Sequence, residues 1–525
     1  MTILTAPGPS GSPPGGAHAD AEDLAGFGYE QQLHRRLGSY ASFAAGFSFV
    51  SILTTVFQLF AFGFAFGGPA FFWTWPMVFA GQLLVALNFA ELAAHYPIAG
   101  CIYQWSRRLS SGVTGWFAGW TMLVGQIIAV SAAAIALQVV LPSVWSGFQL
   151  VGGDPTLTSK SGATNAVILG AILIAVTTVI TAIGVQVMSL INSIGVTCEL
   201  AGVVLLVILL FTHTERGPGV VLHTGAAGAG GGYVWAFLAS ALMAAYVMYG
   251  FDSAGELSEE TRSPRRTAPR AIIRALVVSG IGGALLLIAA LMAAPSVDDG
   301  NLATGGLPYV LTSRLGSGVG KALLIDVAVA IAVCTLAIQT AASRLSFSMS
   351  RDGVLPWSSR LAKVNRRTGT PILPSVLIGV VSVAILFVNV GQAQLFTAVT
   401  GVSVVVVYSA YLMVTIPLLV QRLRGWPRTA HDDPGATRFS LGRAGIAINV
   451  LAVLYGLFMA VNIAWPRATV YDPAGGHWYL QWFAEIFLAG VLVVGVLAYL
   501  TRSRQARGRP EPPAPVMATQ LAAAE

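Results

Sequence analysis

The residues of this chain best able to do chemistry are a few acids set inside apolar runs. Asp252 stands in Tyr249-Gly250-Phe251-Asp252-Ser253, which interrupts one such run shortly before the basic cluster RSPRRTAPR. A helix-weakening Gly beside a carboxylate and a hydroxyl can open a helix and leave amides and carbonyls free to hold a polar solute in a cavity. The other reading is an intact helix in which Asp252 pairs with an Arg or hydrogen-bonds for packing.

Glu199 lies in INSIGVTCELAGVVLL, with Asn192 and Thr197 nearby. It serves either as a helix-to-helix hydrogen bond or as a carboxyl whose proton uptake couples to a conformational change. Glu91 and Glu485 are also inside apolar runs, with Glu256 at a helix end and Asp326 in the outer half of its run. An ionised group in hydrocarbon costs at least about 2.5 kcal/mol, so such acids face a bundle interior, a cavity or a partner. None of the 7 His residues falls in the middle of a run, which leaves carboxylates as the candidate proton carriers.

A second polar interruption, GFSFVSILTTVF, holds Ser48, Ser51, Thr54 and Thr55. Such hydroxyls can simply bond their own helix backbone. As interruptions of the first and sixth runs, however, 51–55 and 249–253 fit the pattern of an inverted five-helix repeat.

The elements that must carry these residues are membrane helices. Of 525 residues, 55% are hydrophobic and 10% charged, against about 25% charged in a soluble domain. Hydropathy marks twelve segments, 40–65, 72–94, 113–141, 164–184, 188–212, 233–256, 271–294, 320–345, 371–391, 394–420, 442–464 and 479–500, each near the length that spans a bilayer. With the amino terminus inside, 24 Lys and Arg fall on inner segments and 5 on outer ones, so both termini are expected to be cytoplasmic. The same asymmetry accounts for the net charge of +7 without nucleic acid. One inner turn, 184–187, carries no basic residue.

By composition, 1–30 and 503–525 read as disordered cytoplasmic tails around a transmembrane body at 31–502. The amino-terminal tail has acids where a signal peptide would be basic. Cys101, Cys198 and Cys334 are far apart, without metal or disulfide spacing. No GxxxxGK[ST], GxSxG or HExxH motif stands in a plausible context, so neither an enzyme nor a cofactor or metal is expected.

Several stretches, in order, resemble the amino acid-polyamine-organocation superfamily of secondary transporters, and most closely its amino acid/choline branch. They are FGYEQQLHRRLGSYASFAAGFSFVSILTT, FGGP, AELAAHYPIAGCIYQWSRRL with Glu91, Pro97 and Gly100, YGFDSAGELSEETRSPRRTAPRAI, and SRLSFSMSRDGVLP before KVNRRTGTP. The resemblance implies an all-α polytopic membrane protein of 12 transmembrane helices, a five-plus-five inverted repeat with two extra helices. It places the substrate against Ser51, Ile52, Leu53, Thr54 and Thr55 of helix one and Tyr249, Gly250, Phe251, Asp252 and Ser253 of helix six. Tyr246 falls where relatives carry an aromatic gate, or else it is a packing Tyr.

The chain departs from the family pattern in three places. Cys101 replaces a common second Gly. Val50-Ser51-Ile52-Leu53-Thr54-Thr55 lacks the Gly-rich break that holds a substrate carboxylate in many permeases. Glu199 stands where many members have a Lys implicated in coupling. A net negative pathway suits an amino or quaternary ammonium substrate, and Tyr246, Tyr249 and Phe251 could add cation-π attraction of about 2 kcal/mol. The expectation is therefore a plasma-membrane transporter of small amino acids or amines working by alternating access, with Glu199 and Asp252 as proton or ion coupling residues. Rival expectations are a carrier specific for choline, GABA or polyamines, and a nutrient sensor that moves nothing.

Overall fold

The structure is a computed structural model that describes residues 15–225, 227, 232–297, 300–388, 390, 395–427, 438–472 and 475–505. Among these residues the regular structure is helical, apart from two isolated bridges, Leu37 with Thr261 and Asn365 with Thr370. Among the described residues ten helices are long and apolar enough to cross a membrane, and two shorter apolar helices accompany them. The last residues of both expected tails, 1–14 and 506–525, lie outside the described residues.

The first span is two helices, α1 (Ser39–Val50) and α2 (Ile52–Gly67). There follow α3 (Thr74–His95), a short α4 (Cys101–Leu109), α5 (Gly112–Ile135), α6 (Lys160–Ile183) and α7 (Val185–Thr212). The run expected at 233–256 is also divided, into α8 (Tyr233–Val247) and a single turn α9 (Ser253–Glu256). Then come α10 (Pro264–Ala293), α11 (Gly300–Arg351), α12 (Ile372–Val388), α13 (Leu395–Leu423), α14 (Gly445–Ala464) and α15 (Phe483–Gln505). α11 is much longer than the expected 320–345 because non-helical Gly306 and Gly316 divide short outer pieces from the spanning part.

Burial is inverted relative to a soluble protein. Ile172, Val176, Val179 and Ile183 expose one stripe of α6, and Leu454, Phe458 and Val461 do so on α14. Meanwhile Gln58, Gln82, Asn88, Gln126 and Asn192 are buried. Apolar stripes of this extent need a bilayer to cover them. Exposed Trp73, Trp145, Trp235, Trp465, Trp478 and Trp482 fall at helix ends, as amphipathic rings do at a membrane interface. The span holding α1 and α2 is the most enclosed, and α14 and α15 are the most peripheral.

The face opposite those Trp residues is closed by ions. Arg344 pairs with Glu260 at 3.0 Å with both side chains fully buried, and Arg351 pairs with Glu259 at 2.7 Å. Asp352 takes Arg107 at 2.5 Å and the Tyr103 hydroxyl at 2.8 Å, and Tyr29 lies 2.9 Å from it. Tyr29 comes from the stretch whose composition reads as tail. That stretch is helical over Gly15–Ala25, and its Asp23 pairs with Arg265 at 2.6 Å.

Candidate functional site

Two interruptions meet at the centre of the bundle. α1 ends where the Ser51 amide donates to the Phe47 carbonyl at 2.7 Å, and Ser51 then takes φ 36°, ψ 96°. Positive φ at a non-Gly residue costs on the order of 1–3 kcal/mol and needs support from its surroundings. Glu199 of α7 supplies it: Oε1 accepts from the Ser51 hydroxyl at 2.9 Å and from the Leu53 amide at 3.1 Å. The carboxyl thus caps the amino end of α2, where free N–H groups favour an acceptor and a negative charge. Its Oε2 is buried without a hydrogen-bond partner among the described residues.

The second interruption follows α8, with Gly250 at φ 91°. Only Gly fits there, since a Cβ would come within 1.9 Å of the Phe49 ring from the first break. Tyr411 of α13 joins the two sides of this opening. Its hydroxyl accepts from the Gly250 amide at 2.9 Å and donates to Asp252 Oδ1. Asp252 Oδ2 is buried without a hydrogen-bond partner among the described residues. Each break therefore carries one carboxyl with one oxygen engaged and one free.

The residues picked out in the sequence take different positions. Tyr246 and Tyr249 meet edge-on, with ring centres 5.8 Å apart, and Tyr249 meets Phe49 at 6.0 Å. The Tyr249 hydroxyl is 3.2 Å from Ser403 Oγ. Thr54 lies 2.7 Å from Ser51 Oγ, whereas Thr55 turns onto its own backbone, 2.6 Å from the Ser51 carbonyl. Ser253 donates to the Ala45 carbonyl at 3.1 Å. Ile52 points at Gly282 of α10, and Phe251 packs between Phe89 and Tyr411. None of these side chains is more than 4% exposed, so the site is closed on both faces.

Tyr411, Phe49, Ser403 and Gln58 were not picked out in the sequence. Gln58 faces Tyr246 and holds the Ala132 carbonyl at 2.8 Å, leaving its own Oε1 without a partner. The signal available for two of them was GVSVVVVYSAYLM, where Ser403 and Tyr411 interrupt an apolar run.

Comparison with known proteins adds a lineage to this geometry. The family profile described as Amino acid permease matches residues 37–496. The chain is 28% identical to the amino-acid permease BAT1 homolog of Oryza sativa subsp. japonica, over 89% of this chain and 91% of that protein. It is also 28% identical to amino-acid permease BAT1 of Arabidopsis thaliana, over 84% and 87%. Thiamine transporter thi9 of Schizosaccharomyces pombe is 25% identical, over 91% and 85%.

Proposed function

Since this chain belongs to the amino acid permease family, within the amino acid-polyamine-organocation superfamily, we propose that it carries amino acids or related small amines across the plasma membrane by proton-coupled alternating access. The observation that carries this reading is the pair of facing helix breaks, each with a buried carboxyl that keeps one oxygen free. Asp252, the other expected coupling residue, gives up a proton at Oδ2 and receives the substrate ammonium there. Glu199, which ties α7 to the amino end of α2, gains or loses a proton as α1 and α2 move against α7.

The finer architecture in this reading is twelve crossings, a five-plus-five inverted repeat and two extra helices, with both termini cytoplasmic. Helix packing supports it. Advancing the span count by five turns the α5–α13 contact into α11–α7, α1–α10 into α8–α3, and α6–α11 into α12–α5, and all of these pairs pack together. The split of 24 basic residues to 5 supports the orientation. Residues 31–502 form the permease body in this reading.

A cationic substrate is favoured by charge. Among the described residues, those around the breaks include Glu199 and Asp252 but no Lys or Arg. A relative named for thiamine, an organic cation, fits the same preference. Uptake into proteoliposomes under an imposed pH gradient, with a radiolabelled panel of amino acids and amines, tests the reading. Asp252→Asn should weaken substrate affinity and Glu199→Gln should flatten the pH dependence. Unchanged affinity and pH dependence in both variants would remove these roles, and absence of counterflow in the wild type would remove transport itself.

A further inference from the structure

Below the break, α9 carries a second carboxyl to which none of the roles above applies. The Glu256 amide donates to the Asp252 carbonyl at 3.1 Å, so one helical turn separates the two acids. Side chains four residues apart on a helix lie on one face, about 5–6 Å apart at Cβ. Both are completely buried. Among the described residues neither oxygen of Glu256 makes a well-formed hydrogen bond, and the carboxyl faces the Gly100 and Cys101 amides at the amino end of α4.

Among the described residues no cation compensates it. Glu259 and Glu260, the next acids along the chain, are committed to Arg351 and Arg344 of α11. α1 carries no charged residue, and Arg270 and Arg274 of α10 are exposed. The titratable groups that face Glu256 are Asp252 on its own segment and Cys101 on α4, whose thiol donates to the Asp252 carbonyl at 3.6 Å. A buried carboxyl faced only by the amides at a helix end, with no cation beside it among the described residues, costs free energy that an apolar side chain of the same size would not. Two such carboxyls one turn apart bind protons as a pair: removing one proton changes the cost of removing the next.

We propose that Glu256 is the inner proton-exchange partner of Asp252. A proton leaving Asp252 Oδ2 is taken up by a Glu256 carboxylate oxygen, directly or through one water. Glu256 then gives it up on the side of the ion-paired face formed by Glu259, Glu260 and Asp352. Only a proton moves, so the step needs no other reactant. The inference rests on the proton-coupled reading above and adds to it the inner half of the proton path.

The test uses the full chain in proteoliposomes, supplied with an equimolar mixture of radiolabelled amino acids. Two quantities are read: accumulation driven by a pH gradient, and counterflow without one. For Glu256→Gln, which keeps size and shape, accumulation should fall by about tenfold, inside the usual range of coupling between sites, while counterflow persists. Glu256→Asp should recover part of the loss. Accumulation by Glu256→Gln equal to wild type would overturn the assignment, as would equal loss of accumulation and counterflow, which marks a structural role. Wild-type counterflow without gradient-driven accumulation would instead overturn proton coupling itself, and this inference with it.

Discussion

Replacing Glu199 separates its hydrogen bonds from its charge. In Glu199→Ala the Leu53 amide at the start of α2 loses its acceptor in a buried position, which costs about 1–3 kcal/mol. The Ser51 hydroxyl can turn to Thr54 Oγ1, 2.7 Å away, so its loss is smaller, about 0.5–1 kcal/mol. If the carboxyl is ionised, loss of its charge at a helix amino terminus adds about 0.3–2 kcal/mol. The total is about 2–6 kcal/mol. Glu199→Gln keeps a carbonyl oxygen in the place of Oε1 and loses only the charge, at most about 2 kcal/mol. Denaturant unfolding in mixed micelles, followed by the fluorescence of the 12 Trp residues, compares the two. The Ala variant should unfold at clearly lower denaturant than the Gln variant. Equal midpoints, or an Ala variant as stable as wild type, would refute the idea that Glu199 holds the first break open through its acceptor.

Three further outcomes follow from the contacts. Tyr411→Phe leaves the Gly250 amide and Asp252 Oδ1 without their shared partner; substrate KM in proteoliposome uptake should rise about tenfold for about 1.4 kcal/mol lost, and an unchanged KM would count against the role of Tyr411. Gly250→Ala forces a Cβ to 1.9 Å from the Phe49 ring at φ 91°; transport should disappear while inserted protein remains detectable by blotting, and full activity would contradict the geometry of the second break. Arg344→Met strands Glu260, a fully buried partner, and should cost about 3–5 kcal/mol in denaturant unfolding. Adding Glu260→Gln should recover part of that loss, and strictly additive effects would show that the pair is not coupled.

Much of the helical architecture was legible because each spanning run satisfies its backbone internally and leaves a local hydropathy trace. The second break was legible for a local reason too: Gly250 and Asp252 sit inside an apolar run. The first was harder to read, because Ser51 adopts positive φ only through Glu199, 148 positions along the chain. Thr55 shows the limit of residue type as a guide, since its hydroxyl serves its own helix. Tyr411 reaches Asp252 across 159 positions, and Tyr29 reaches Asp352 across 323. Local composition carries no record of such pairings, so residues 15–30 read as tail although they contribute contacts to the body.

Transport by alternating access, as proposed above, depends on a ligand site made by the two breaks. A cryo-electron-microscopy map of the protein with a transported substrate tests this most directly. Density is expected between 51–55 and 249–253, with the ammonium about 3 Å from Asp252 and Tyr411 still bridging to Gly250. A substrate bound elsewhere in the bundle, or unbroken helices through Ser51 and Gly250, would contradict it.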